Sequence, residues 1–405
     1  MEQTGIAPVQ AAERINEIDI VRGVALFGIL MVNMSFYKYP VYMERIPSQF
    51  PEGLERLSAM FIQLFFTGNF YAVFSFLFGL GFFIFMDRTM KKGLELKPLY
   101  RRRLTALLFF GLLHIVLFWS GDILFTYAIT GFILLAFRNV SLEAIKKWIL
   151  ALFVFAFFFN TVVSFFKSAG QFLAPDKYQA VMDEMISSAI IMYTEGTFVE
   201  LTLYRLANEI PYVIVGVIFW IPQVLAFFLC GLYAGRKGIF NNIPAYIPMF
   251  KKIRTWGLLV GGVFLLFYVL IDSGILPVPP LLNVSLLSGI NYLASIFIFP
   301  AYVSMIILGA QAGFWKKVLT PVGEAGKMAL TNYLSQTLIC VIIFYGFGFG
   351  LYGRVSVSAG ILITIAIFLV QVAWSNAWMR KFKYGPMEWF WRLLTYKKRQ
   401  PFMIK

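Results

Sequence analysis

Charge is scarce in this chain of 405 residues: Asp, Glu, Lys and Arg together make up 14% of it, where a soluble domain carries about 25%. Cysteine is scarcer still. Cys230 and Cys340 each sit inside an apolar run, so they give neither a disulfide framework nor a metal-ligand spacing, and they read as small buried side chains. There is one histidine. No Gly-x4-Gly-Lys-Ser/Thr stretch occurs, which argues against a self-contained ATP-driven pump, and no HExxH or other zinc pattern is present. Asp and Glu are missing from the middle of every apolar run, which counts against the carboxylate relay of a proton-coupled transporter. Residues 1–16 are polar and lack an apolar stretch with a small-residue cleavage site, so the first apolar run is expected to be an uncleaved span. No low-complexity linker and no convincing internal repeat is visible. The second absence weakly disfavours transporters built from inverted repeats.

What is abundant is hydrophobicity: 60% of the residues are apolar and 18% aromatic. Apolar runs lie at about 20–37, 61–86, 104–120, 122–137, 148–166, 210–234, 255–276, 288–311, 328–349 and 356–379. Runs of this length read as membrane spans. The expected fold is therefore an all-α polytopic membrane protein of about ten transmembrane helices, a single integral membrane domain over 1–405. The third and fourth runs, divided by Gly121 and Asp122, should form a tight helical hairpin.

The net charge of +15 does not point to nucleic acid, because the basic residues lie in short stretches between apolar runs. With the N-terminus inside, about four in five of the 35 Lys and Arg fall on inner segments. The outer ones are Lys38, Arg45, Arg56, Lys167, Lys177, Arg205 and Arg354. This bias puts both termini, and a tail at 380–405, in the cytoplasm. The long extracytoplasmic segment, 167–209, should hold a surface helix or two, either packed over the bundle or forming a solvated cap.

His114 is the ionisable side chain that lies well inside an apolar run. At 1.5 Å per residue it sits about 15 Å from the inner end of its helix and about 9 Å from the outer end. An ionisable group at that depth is costly and marks function by default, and a histidine suits acid–base work near neutral pH. The competing reading is a neutral imidazole bonded to a backbone or hydroxyl partner. Asn33 lies at a similar depth in the first span. Asp122, at the outer mouth of the hairpin, either orients the imidazole or caps a turn, although eight residues and a glycine turn divide it from His114. Asp19 and Arg22 share a helix face at the inner end, as an interfacial ion pair or a phosphate contact. Arg101, Arg102 and Arg103 abut the third span on the inner side, where they fix topology, meet anionic lipid or hold a phosphate-bearing coenzyme. The glycines at 79 and 81 read as close-packing positions.

Several stretches carry a resemblance together: Arg14-Ile15 with Ile18-Asp19-Ile20-Val21-Arg22-Gly23, Phe74-Ser75-Phe76-Leu77-Phe78-Gly79-Leu80-Gly81, Gly111-Leu112-Leu113-His114, Trp119-Ser120-Gly121-Asp122, Met328-Ala329-Leu330-Thr331-Asn332-Tyr333 and Gly385-Pro386-Met387-Glu388-Trp389. The chain resembles the YeiB-like family of bacterial membrane proteins, whose conserved region is called domain of unknown function 418, and its YrkO-type members most. The opening motif is similar to that of a wider set of transmembrane acyltransferases, including the lysosomal heparan-glucosaminide N-acetyltransferase. That resemblance implies transfer of an acyl group, often acetyl from acetyl-CoA inside, to a glycan or lipid acceptor outside. In the acyltransferase-3 branch a histidine follows the arginine of the first span after ten residues, and here that position is Asn33. His114 would then supply the base, with Asn33 holding a substrate carbonyl or the imidazole. A transporter or flippase of a small or lipid-like molecule, and a non-catalytic scaffold, are the alternatives. Oligomeric state stays open, a homo-oligomer included.

Overall fold

A computed structural model describes residues 15–40 and 52–404. The N-terminal stretch read as lacking a cleavable leader, with Arg14 and Arg45, lies outside them. The described residues form fifteen α-helices. They are α1 (Asn16–Lys38), α2 (Glu52–Phe65), α3 (Phe70–Lys91), α4 (Leu96–Leu117), α5 (Leu124–Leu134), α6 (Leu142–Leu173), α7 (Pro175–Glu195) and α8 (Phe198–Tyr204). Then follow α9 (Ile210–Arg236), α10 (Ile243–Asp272), α11 (Pro280–Gln311), α12 (Gly313–Lys327), α13 (Ala329–Phe344), α14 (Val357–Met379) and α15 (Pro386–Tyr396). Among the described residues the one β pairing is an isolated bridge between Phe382 and Met403. The fold is all-α.

Every one of the ten apolar runs lies on helix, but length divides them. Among the described residues seven helical stretches are long and apolar enough to cross a membrane, eight if the bent pair of α12 and α13 is one span. Two of the runs fall short for physical reasons. The part of α4 beyond its arginines, 104–117, is shorter than the roughly 20 apolar residues that span a hydrocarbon core. α5 has 11 residues before it tightens into the 3-10 turn Leu135–Asn139. The run at 328–349 is α13, which leaves α12 through an 84° bend at Met328.

Burial separates centre from periphery. The apolar window of α1 is 61% buried, whereas that of α6 is 6% and that of α10 is 17%. α1 is surrounded by α3, α11, α12, α13 and α14, and α3 also packs along α9. α6 and α10 present large apolar side chains outward, such as Leu150, Phe158, Leu259 and Leu266. That is the surface lipid chains require, since no water has to be excluded from it. The protein is a polytopic helical membrane protein whose core is built on α1.

The expected helices of 167–209 exist: α6 runs on to Leu173 and is followed by α7, α8 and a π-helical turn, Arg205–Glu209. Of the two readings offered for this segment, packing over the bundle is the one realised. Tyr193, Arg205 and Glu209 are each at most 4% exposed.

Candidate functional site

The α4–α5 hairpin turns so tightly that Gly111 has no room for a side chain, since a Cβ there would come within 2.5 Å of the Phe125 amide nitrogen. This close approach brings the start of α5 beside the last turns of α4. His114 Nδ1 then lies 2.8 Å from Asp122 Oδ1. The glycine turn that seemed to keep the two apart is what joins them, because contact runs across the hairpin and not along one helix. The other carboxylate oxygen of Asp122 accepts the Phe125 N–H at 2.7 Å. His114 Nε2 stands 2.9 Å from the Thr337 hydroxyl on α13, which is 2.6 Å from the Tyr37 hydroxyl on α1. Three helices thus meet at one imidazole that is 2% exposed. With the imidazole neutral, Nδ1–H donates to Asp122, Thr337 donates to Nε2, and Tyr37 donates to Thr337. A carboxylate on one ring nitrogen and a hydroxyl on the other is the arrangement that holds a histidine ready to take a proton.

Asn33 is only half-buried, and among the described residues no hydrogen bond joins it to His114. Tyr37, one turn further along α1, reaches the network instead. Trp119 lies tilted against Tyr37 at 4.2 Å and closes edge-on against His114 at 6.3 Å.

The approach comes from the basic end. A cavity of about 340 Å³ runs between α1, α3, α4, α13 and α15. Arg22, Arg88, Lys92, Arg103, Lys327 and Arg392 line it at that end, with Asp19 and Glu388. Its walls are then apolar, through Phe85, Phe82, Leu107, Leu330, Phe78 and Leu77. At its depth lie Tyr127 and Tyr333. The Tyr333 ring is 5.4 Å from that of His114, and its hydroxyl is 3.5 Å from Asp122 Oδ1 while accepting the Ile123 N–H at 3.2 Å. One tyrosine separates the cavity from the His114–Asp122 pair.

The predicted phosphate contacts divide. Arg22 lines the cavity and pairs with Asp19 at 2.6 Å. Arg103 lines it too, with its guanidinium 3.6 Å from the Trp391 ring centre. Arg101 and Arg102 are exposed and lie off the cavity, because consecutive residues on a helix point about 100° apart.

Sequence reasoning passed over α15, placing it only in the cytoplasmic tail. The Trp391 indole donates to the Arg103 carbonyl at 2.8 Å. Glu388 accepts the amides of Leu330 and Thr331 at 2.6 and 3.1 Å and the Thr331 hydroxyl at 2.6 Å. It thereby caps α13, the helix that carries Tyr333 and Thr337. Burial raises its pKa above the ordinary carboxylate range, against the lowering effect of those bonds. Arg205 was also missed. Its guanidinium donates to the carbonyls of Phe118, Leu117 and Val116 at 2.8, 2.9 and 3.2 Å, closing the end of the helix that bears His114. Spacing in the chain could not signal a partner almost ninety positions away.

A bundle with a cation-rimmed, apolar-walled cavity that ends at Tyr333, beside a buried histidine–carboxylate pair, defines a polytopic helical membrane protein with an internal cavity. The chain belongs to the DUF418 family, described as proteins of unknown function, whose family model matches residues 234–398. It is 32% identical to the uncharacterized protein YxaH of Bacillus subtilis, with 99% of each chain covered. It is 28% identical to the uncharacterized protein YeiB of Escherichia coli, over 97% of this chain and 99% of that one. A 39.9 kDa protein from the amylase 3' region of Bacillus acidopullulyticus is 26% identical over 98% of each.

Proposed function

We propose that the chain is a transmembrane acyltransferase of the bacterial inner membrane, drawing an acyl thioester such as acetyl-CoA from the cytoplasm and passing the acyl group to a hydroxyl-bearing glycan or lipid acceptor. The observation that carries the reading is the continuity of the cavity, from six cations at one end to Tyr333 beside His114 and Asp122 at the other. Cations suit the phosphates of the donor, and apolar walls suit its acyl end. The density of Lys and Arg at the rim supports a cytoplasmic location for that end and for both termini. The α4–α5 hairpin and α13 then count as crossings, giving ten.

In the transfer step the acceptor hydroxyl takes the position at His114 Nε2 that Thr337 occupies in this structure. The imidazole removes the hydroxyl proton as the new C–O bond forms at the thioester carbonyl, and Asp122 steadies the imidazolium. Tyr333 donates its O–H to the developing oxyanion. When the C–S bond breaks, the imidazolium returns the proton to the thiolate, so ester and free thiol leave and the enzyme is unchanged.

The test is acetyl-CoA supplied to the purified protein in lipid nanodiscs, with membrane-lipid and glycan acceptors. Free thiol should appear with wild type and fall to background with His114→Ala. Thiol release that is indifferent to His114→Ala would overturn the assignment of the base. Movement of a labelled lipid across vesicles with no thioester consumed would make the protein a flippase.

A further inference from the structure

Two glycines of α3 stand two residues apart and do different things. At Gly79 a Cβ would come within 1.8 Å of the Phe228 carbonyl oxygen, so this glycine is what lets α3 and α9 touch. At Gly81 a Cβ would meet nothing within 4 Å. Nor is Gly81 among the positive-φ glycines. Reading both as close-packing positions is therefore right for one and wrong for the other. A glycine inside a helix costs about 1 kcal/mol relative to alanine, and neither packing nor backbone conformation accounts for that cost at Gly81. What Gly81 does is line the cavity.

The wall of the cavity along α3 extends from Phe74 to Lys92, just past the end of the helix, about 27 Å at the rise of an α-helix. Arg88 and Lys92 occupy its basic end. From Phe85 to Phe74, about 16 Å, the α3 side chains facing the cavity are all apolar, with Gly81 between Phe85 and Phe74 in that stripe. An acetyl group would fill a small part of that length.

We infer that the occupant of this cavity carries a long, unbranched apolar chain behind a phosphate-bearing head, and that Gly81 is the specificity-determining residue that leaves the chain its room. The inference rests on the acyltransferase reading only for the nature of the head. Under that reading the preferred donor is a long-chain acyl thioester, with acetyl-CoA bound more weakly. A single-chain lipid phosphate presents the same shape and charge.

The experiment measures equilibrium binding of palmitoyl-CoA, acetyl-CoA and hexadecyl phosphate to the full chain in nanodiscs, for wild type, Gly81→Ala and Gly81→Leu. Wild type should hold palmitoyl-CoA at least about tenfold more tightly than acetyl-CoA, a difference of about 1.4 kcal/mol. Gly81→Leu should abolish that preference while leaving acetyl-CoA binding within about twofold. Gly81→Ala should fall between them. The melting temperature of both variants should equal or exceed that of wild type, which separates blocked space from misfolding. Equal binding of the two thioesters by wild type, or palmitoyl-CoA binding unaffected by Gly81→Leu, would overturn the inference. If only hexadecyl phosphate binds and Gly81→Leu blocks it, the apolar-chain site stands and the thioester donor, with the acyltransferase reading, falls.

Discussion

The rings of Tyr333 and His114 lie 5.4 Å apart, yet Tyr333 lines the cavity and His114 does not. The tyrosine hydroxyl also reaches toward Asp122, so one side chain forms the end of the cavity and touches the carboxylate that orients the imidazole. Removing only that hydroxyl leaves the wall in place. Tyr333→Phe should lower the acyl-transfer rate by about 10²-fold, as loss of an oxyanion donor does, with donor binding retained. His114→Ala should lower it by about 10²–10⁴-fold. Rates from single-turnover thiol release, set beside binding of the intact donor, separate the two quantities.

The triple arginine divides into one residue that faces the cavity and two that do not. Arg103→Ala should weaken a phosphate-bearing ligand by about tenfold or more, since it removes a charge-assisted contact, and should reduce the salt dependence of binding. Arg101→Ala and Arg102→Ala should each change affinity by less than about twofold, as exposed charges do. Titration of the three variants at two ionic strengths checks this.

Arg205 satisfies three carbonyls at the end of α4 and is 1% exposed. Arg205→Ala leaves those acceptors buried without their donor, at a cost of about 3 kcal/mol or more. Arg205→Lys should recover little of it, because one ammonium cannot span three carbonyls as a planar guanidinium does. The expected outcome is a melting temperature several degrees lower for both variants, measured in the same detergent.

Glu388 sets a pH dependence. Its pKa is raised in the folded chain by burial, so the folded state binds that proton more tightly than the unfolded one. The stability linked to it is complete below the ordinary glutamate value of about 4.3 and is lost as pH rises through the higher folded value. Melting temperature should therefore decline across that interval in wild type. In Glu388→Gln, which cannot titrate, the decline should be smaller, and an identical slope in the two would show that Glu388 does not govern it.

Much of the fold was legible in the chain because hydropathy acts locally: a residue that must sit in lipid declares itself wherever it stands. All ten apolar runs lie on helix, and the hairpin at Gly121 and Asp122 was visible in its spacing. Depth along a helix likewise singled out His114. What hydropathy does not carry is length after bending, so α5 and the α12–α13 pair depart from simple crossings. A one-dimensional reading also left open whether 167–209 packs over the bundle or forms a solvated cap, and Arg205 within it closes the end of α4.

The composition and order of residues by themselves determined that this is a helical membrane protein with one ionisable side chain deep in an apolar run, since both follow from the cost of putting polar groups in hydrocarbon. Only the tertiary structure decided who meets that side chain. Asp122 reaches it because Gly111 lets two helices touch, Thr337 and Tyr37 come from distant parts of the chain, and Asn33, expected there, makes no hydrogen bond to it among the described residues. Contacts between distant segments depend on helix crossings a few ångströms wide, and no local pattern of residues encodes a distance of that kind.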